Sequence, residues 1–139
     1  MRFYIDSNIF IYAVTQDEKS ELCRKIISKL EEDEFKAATS ILTLDEVTWI
    51  VNELDDEKAV ETGKRLLKMS NLDILSADIE TGAKSLDIMN DDGIDPRDSM
   101  HLATAEKHGI YTIVTEDSDM QENNQIDSIN AQELLEKIK

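Results

Sequence analysis

Apolar positions along the chain fall into blocks of two kinds. Phe3, Tyr4 and Ile5 sit in a compact aromatic and β-branched block, Arg2–Asp6. Phe35–Thr39, Leu72–Leu75 and Tyr111–Thr115 are blocks of similar length, and all read as short strands. A fifth strand over Gln125–Ser128 carries a weaker pattern. Between them lie longer segments with helical spacing. Asn8–Val14 follows the first strand. Leu22, Ile26, Ile27 and Leu30 share one face of a helix that Asp17 is placed to cap and that runs to about Glu32. Ile41–Leu54 is apolar almost all round and is expected to be largely buried. Asp56–Met69 carries Lys58, Lys64, Arg65 and Lys68. Asp78–Asn90 stops near Asp92-Gly93, Asp95-Pro96 opens the next helix with a cap and then a proline, and His108-Gly109 closes it. Asn130-Ala131-Gln132-Glu133 has the form of a capping box and starts a terminal helix.

Strands separated by helices of ten or more residues require crossovers, which implies an α/β fold with a mostly parallel sheet covered on both faces. No repeat, low-complexity tract or linker divides the chain, so residues 1–139 are expected to form one domain with a real core. In open sheets of this kind ligands bind beyond the carboxyl ends of the strands. Asp6 ends the first strand and Asp117 follows Tyr111–Thr115, so both point to that edge.

Charge complicates the picture. There are 31 Asp and Glu against 15 Lys and Arg, for a net charge of −16. Residues 1–70 hold 15 acids and 10 bases, whereas residues 71–139 hold 16 acids and 5 bases. A surface this acidic repels nucleic acid in general, because phosphate binding rests on Lys and Arg. With four Gly and one Pro, the composition is that of a folded chain, so disorder does not explain the acids. They either solvate the surface or gather around a cation. One Cys, Cys23, excludes a disulfide framework and a cysteine-rich zinc site. No apolar run is long enough to span a membrane, and an acid at position 6 breaks the pattern of a secretory leader, so a cytoplasmic protein is expected.

Taken singly, the acids have ordinary explanations. Asp6 can cap the helix after it, and Asp117 can sit in a solvated turn. Asp98, at the third position of its helix, can complement the helix dipole or close a capping box. Glu46 lies at the margin of a broad apolar face and needs either solvent or a partner, because an unpaired buried charge is very costly. Asp98 also shares a face with Leu102 and Ala105 and so looks inward. Brought together, such carboxylates repel one another, and a hard divalent ion would relieve the repulsion. An oxygen-only donor set suits Mg²⁺ or Mn²⁺. Such an ion lowers the pKa of bound water and steadies charge on a phosphoryl group, so the chemistry indicated is metal-assisted phosphodiester hydrolysis.

The order of motifs resembles that of a PIN-domain nuclease, and in size that of the small VapC-type toxins of toxin–antitoxin pairs. The resemblance rests on Ile5-Asp6-Ser7-Asn8, Ser40-Ile41-Leu42-Thr43-Leu44-Asp45-Glu46-Val47, Arg97-Asp98-Ser99-Met100-His101-Leu102-Ala103-Thr104-Ala105 and Val114-Thr115-Glu116-Asp117-Ser118-Asp119. It implies a PIN-like three-layer α/β/α sandwich with a mostly parallel central sheet of four or five strands. It further implies an endoribonuclease in which Asp6, Glu46, Asp98 and Asp117 hold one or two Mg²⁺ or Mn²⁺ ions and a metal-activated water attacks RNA. Asn8 matches a polar residue that orients the site, Thr115 the hydroxyl residue before the last acid, and Asp119 an auxiliary acid. An antitoxin partner and a homodimer are implied as well. Ser7 stands where Thr is frequent and Met120 where an aromatic is frequent. Glu116 adds negative charge beside the cluster, which makes the approach of RNA harder to explain.

Two other readings compete. A PIN-like module that binds RNA or protein without cutting has no reason to keep mutually repelling carboxylates. A phosphoacceptor receiver domain needs two adjacent acids near the first strand and a Lys late in the chain, but Asp6 is followed by Ser-Asn and no Lys follows a late strand. Among the remaining residues, His101 and His108 read as structural or exposed, Trp49 as core or interface, Cys23 as a plain helix residue and Asn90-Asp91-Asp92-Gly93 as a turn. The bases at 58, 64, 65 and 68 read as a solvated face.

Overall fold

The computed structural model describes residues 2–139; Met1, the first residue of the expected domain, lies outside them. Five strands, β1 (Arg2–Ile5), β2 (Lys36–Ser40), β3 (Leu72–Leu75), β4 (Thr112–Val114) and β5 (Asp127–Ile129), form one sheet in the order β3-β2-β1-β4-β5. Every pairing is parallel, with Tyr4 opposite Ala38 on one side and Ile113 on the other. The described helices are α1 (Ser7–Val14), α2 (Ser20–Glu31), α3 (Ile41–Leu54), α4 (Asp56–Leu67), α5 (Ile79–Asp92), α6 (Pro96–Lys107) and α7 (Ala131–Lys137), with a 3₁₀ turn over Met120–Glu122. The expected α/β/α sandwich is therefore present, with five strands and wholly parallel.

The two-residue period of the strands sorts side chains into two cores. Phe3, Ile5, Ala37 and Val114 pack with Ile9, Ile26, Leu30, Val47, Leu66 and Leu134, beneath α1 to α4 and α7. Tyr4, Ala38 and Ile113 pack on the opposite face with Ile88, Leu102, Ala103 and Met120, beneath α5 and α6. Because both faces are covered, the strands read as continuous apolar runs rather than alternating ones.

Helix ends follow local chemistry in most places. Ser40 caps α3 through its hydroxyl, Asp78 and Asn130 close capping boxes on α5 and α7, and Gly93 ends α5 with φ of 67°, a left-handed conformation that suits glycine. Asn90-Asp91-Asp92 forms the last turn of α5. The Asp92 carboxylate accepts the Asn124 backbone N–H at 2.9 Å and so ties down the loop before β5.

Three expectations are corrected. Asp17 does not cap α2: its carboxylate accepts the Lys19 N–H, and the helix begins at Ser20 with no side-chain cap. Asp95 precedes Pro96 as expected, but its side chain makes no capping bond; its carbonyl accepts the Ser99 N–H instead. Helix α3 is not largely buried. Only Thr43, Val47 and Val51 are, while Trp49 is 61% and Leu54 68% exposed. The apolar pattern is broader than the face the sheet can cover, so Trp49 is not a core residue.

Helices α3 and α4 pack closely around Gly63. A Cβ there would lie 2.9 Å from Thr48 Cγ2 and 3.3 Å from Leu44 Cδ1. Thr48 cannot swing aside freely, because its hydroxyl donates to the Leu44 carbonyl at 2.7 Å. Gly63→Val is therefore expected to destabilise the protein by about 1–3 kcal/mol despite removing a helix-interior glycine. Trp49→Ala should change stability by less than about 1 kcal/mol. Urea unfolding of the two variants checks both.

Candidate active site

The topology creates the site. After β1 the chain proceeds outward through β2 and β3, then returns to place β4 on the other side of β1. The connections leaving β1 and β4 diverge, and a crevice opens beyond their carboxyl ends. Asp6 and Thr115 are the residues that follow these two strands. Glu46 enters from α3, and Asp98 and His101 enter from neighbouring turns of α6.

Asp6 is 2% exposed and caps α1, its Oδ1 accepting the Ser7 N–H at 2.7 Å. Its other oxygen, Oδ2, accepts from the Thr115 hydroxyl at 2.7 Å and from Asn8 Nδ2 at 3.3 Å. Thr115 is a hub: besides donating to Asp6, its Oγ1 accepts from Asn8 Nδ2 and from the Asp117 N–H, each at 3.1 Å. Asn8 Oδ1 accepts the Glu116 N–H at 3.3 Å, which ties α1 to the segment after β4. Asp117 is half-buried, and its Oδ1 accepts the Asp119 N–H at 2.9 Å. Asp119 meets the site through its backbone, and its side chain is exposed.

Glu46 is held at both oxygens. Oε2 accepts from Ser7 Oγ at 2.8 Å and Oε1 from His101 Nε2 at 2.7 Å. His101 is 1% exposed, and its Nε2 lies 3.8 Å from Asp6 Oδ1. The exposed alternative for His101 is thus excluded, and it stands inside the acid cluster. Nothing local marked it. Only its spacing from Asp98, one helical turn, placed it on the same face. His108, by contrast, bonds the Thr104 carbonyl at the end of α6.

Electrostatics identifies the acids as neighbours. Burial, then the charges of Asp6 and Asp117 and contact with the Asp117 carboxyl, push Asp98 up to about 7. Burial raises Asp6, outweighing the opposing His101 charge and the Thr115 hydrogen bond, and Glu46 adds to the rise. Burial would also raise Glu46, but the His101 bond and charge, the Ser7 bond and the Arg97 charge hold it below the usual range. His101 is raised: burial opposes this, but the Glu46 bond and the charges of Asp6, Glu46 and Asp98 outweigh it.

Glu116 does not load the cluster. Its carboxylate accepts the Ala131 N–H at the start of α7 (2.8 Å) and pairs with Lys19 at 3.5 Å. Nor does Asp98 close a capping box; no bond joins it to the Asp95 backbone, so its carboxylate is left to the cluster. Among the bases of α4, Arg65 pairs with Glu31 and Lys58 lies 3.9 Å from Asp55, as on an ordinary solvated face.

The acids are a hard, oxygen-only set whose repulsion a divalent cation would relieve, and in that chemistry they suit Mg²⁺ or Mn²⁺. As the side chains stand, no three His, Cys, Asp or Glu groups among the described residues converge on one ion position. The site is polar and lies at the carboxyl edge of the sheet, with Asp6 and His101 buried and Glu46, Asp98 and Asp117 half-buried. The apolar cavity of about 310 Å³ between Phe10, Ile27, Val47, Leu66 and Met69 is lined by none of the four acids.

A parallel α/β/α sandwich with carboxylates gathered at its switch point is a well-defined class of protein. Within that class, the chain belongs to the PIN domain family, which matches it over residues 3–125. No curated protein sequence matches the chain. Solved structures do. A chain of VapBC2 from Rickettsia felis, bound to a DNA fragment from its promoter, is similar with a TM-score of 0.71 at 17% identity, over 94% of this chain and 98% of that one. VapC20 from Mycobacterium tuberculosis, a toxin that cleaves the sarcin-ricin loop, is similar with a TM-score of 0.72 at 13% identity, over 86% and 92%. DNA-bound VapBC from Salmonella typhimurium gives 0.71 at 20% identity, over 94% and 98%.

The shifts carry a sign for stability. Asp6, Asp98 and His101 bind protons more tightly in the folded chain. Each contributes stability that is complete below its unfolded pKa and lost as pH rises through the folded one. For Asp98 that window runs from about 4 to about 7. Glu46 has the opposite sign, its contribution being present above its unfolded pKa and lost as pH falls through the lowered one. Metal-free protein should therefore melt lower at pH 8 than at pH 5.5. Asp98→Asn should flatten the difference and raise, or leave unchanged, the melting temperature at pH 8. Thermal melts in EDTA check this, and a marked loss of stability would return Asp98 to a purely structural role.

Proposed function

We propose that this chain is a divalent-metal-dependent endoribonuclease, a single PIN-like nuclease domain over residues 1–139 acting in the cytoplasm as the toxin of a toxin–antitoxin pair. The observation that carries the reading is the gathering of Asp6, Asp98 and Asp117 at one edge of the sheet, where burial and then their mutual repulsion push Asp98 up to about 7, with Glu46 braced beside them. A site with no cation to bind gains nothing from such repulsion, which disfavours a non-catalytic PIN-like module that binds RNA or protein.

Asp6, Glu46, Asp98 and Asp117 are the residues that would hold Mg²⁺ or Mn²⁺. When bound, such an ion lowers the pKa of water and neutralises charge on the phosphodiester. The protein's own part is positional. Thr115 and Asn8 fix the Asp6 carboxylate, Ser7 donates to Glu46, and the Asp119 backbone N–H steadies Asp117. Arg97, exposed at the start of α6 and close enough to lower Glu46, is a base available to a strand lying over the crevice. With a net charge of −16, RNA affinity then depends on divalent ions bridging phosphate and carboxylate.

An antitoxin partner belongs to this reading, supported by structural neighbours that are themselves toxin–antitoxin complexes, including one from Klebsiella pneumoniae. A homodimer belongs to it as well. Ile41, Trp49 and Leu54 on α3 offer apolar surface for contact. Among the described residues no helix is long and apolar enough to cross a membrane.

Purified protein should cut RNA internally with Mg²⁺ or Mn²⁺ and stop in EDTA. Asp6→Asn and Asp98→Asn should each lower the rate by about 10²-fold or more while the fold is kept. Gel assays of labelled RNA, with circular dichroism of each variant, read this. Undiminished cleavage by Asp98→Asn would refute the mechanism.

A further inference from the structure

We infer that His101 is a positioning residue that, braced by Tyr4, presents Glu46 to the site; this rests on the metal-dependent nuclease reading. The three side chains form a continuous hydrogen-bonded chain, with Tyr4 and His101 buried and Glu46 half-buried. His101 Nε2 is 2.7 Å from Glu46 Oε1, and Nδ1 is 2.6 Å from the Tyr4 hydroxyl. Tyr4 is fully buried on β1, two residues before Asp6, and its ring meets the imidazole edge-on with centroids 5.7 Å apart.

Donor and acceptor roles follow from the partners. A carboxylate only accepts, so Nε2 must carry the proton in that bond. Nδ1 is then left for the tyrosine hydroxyl, accepting from it in the neutral imidazole or donating to it in the imidazolium. In both forms Nε2–H points at Glu46, so this nitrogen has no lone pair for a cation or for a substrate proton. His101 thus acts through Glu46 rather than on the reacting atoms.

Glu46 needs such a brace. It extends from the middle of α3 on a side chain with three rotatable torsions, and freezing it removes rotamer freedom that ion binding would otherwise have to overcome. Ser7 holds Oε2 and His101 holds Oε1, so both oxygens are oriented while each keeps a lone pair free. Partners of this kind around metal-binding carboxylates typically account for 10–100-fold in affinity or activity. Helix α6 therefore supplies both an acid, Asp98, and, one turn later, the donor that sets another acid on α3.

The test compares His101→Leu, which fills the space without a donor, with His101→Gln, whose amide N–H can reach Glu46, and with Tyr4→Phe, which leaves His101 in place. Mn²⁺ binding to the full chain is measured by electron paramagnetic resonance titration, alongside kcat and KM for RNA cleavage. His101→Leu should weaken Mn²⁺ binding by about 10–100-fold and lower kcat far more than it raises KM. His101→Gln should recover most of that loss, and Tyr4→Phe should weaken binding by about 2–10-fold, the worth of one hydrogen bond. Wild-type affinity in His101→Leu, or equal losses in Leu and Gln, would overturn the positioning role and leave the nuclease reading standing. A wild-type chain that neither binds Mn²⁺ nor cuts RNA would overturn both.

Discussion

Like charges pressed together at the end of a parallel sheet are the constraint around which this molecule is arranged. Asp6, Asp98 and Asp117 come from the end of β1, α6 and the segment after β4, and burial together with their mutual repulsion pushes Asp98 up to about 7. Such a cluster is costly in a folded protein unless donors offset the charge. Here Thr115, Asn8 and the Ser7 N–H hold Asp6, the Ser7 hydroxyl and His101 hold Glu46, and the Asp119 N–H holds Asp117. The site is thus a strained balance of neighbours rather than a set of independent acids.

The all-parallel sheet is what permits that balance. Parallel pairing brings every carboxyl end to one edge, and the central position of β1 means that the residue after it faces the residues after β4 across a single crevice. The Asp6 N–H bonds the Val114 carbonyl at 3.0 Å, so the ladder itself sets the distance from Asp6 to the Thr115 hub. Two cores, one on each face of the sheet, then fix α3 and α6 so that Glu46 and His101 meet. Much of the candidate site's geometry is thus a property of the packed scaffold, and the segment after β4 adds Asp117 and the Asp119 N–H that holds it.

The net charge of −16 takes on a different meaning against this geometry. A surface so acidic excludes a generic nucleic-acid binder, yet a carboxylate crevice that cations can bridge to phosphate does not need a basic face. Much of the acid elsewhere has local employment: Asp78 with Lys107, Glu116 with Lys19 and the start of α7, Asp92 with the loop at Asn124. These bonds seal helix ends and loops and keep the charge away from the crevice.

The alternation of strands and helices, the capping box at Asn130, the stop at Gly93 and the placement of Asp6 and Asp117 just after strands were legible in the sequence. They depend on apolar period and on hydrogen bonds spanning a few residues. The acid quartet was legible only as an ordered set, because each member alone has a local explanation. Tertiary structure decided the rest. It set the strand order that puts β1 beside β4, left Trp49 and Leu54 exposed on a helix whose apolar face exceeds what the sheet covers, and buried His101 between Tyr4 and Glu46. Those bonds join residues 97 and 55 positions apart. A hydrogen bond between distant positions leaves no period and no local motif along the chain, so it exists only once both cores have packed.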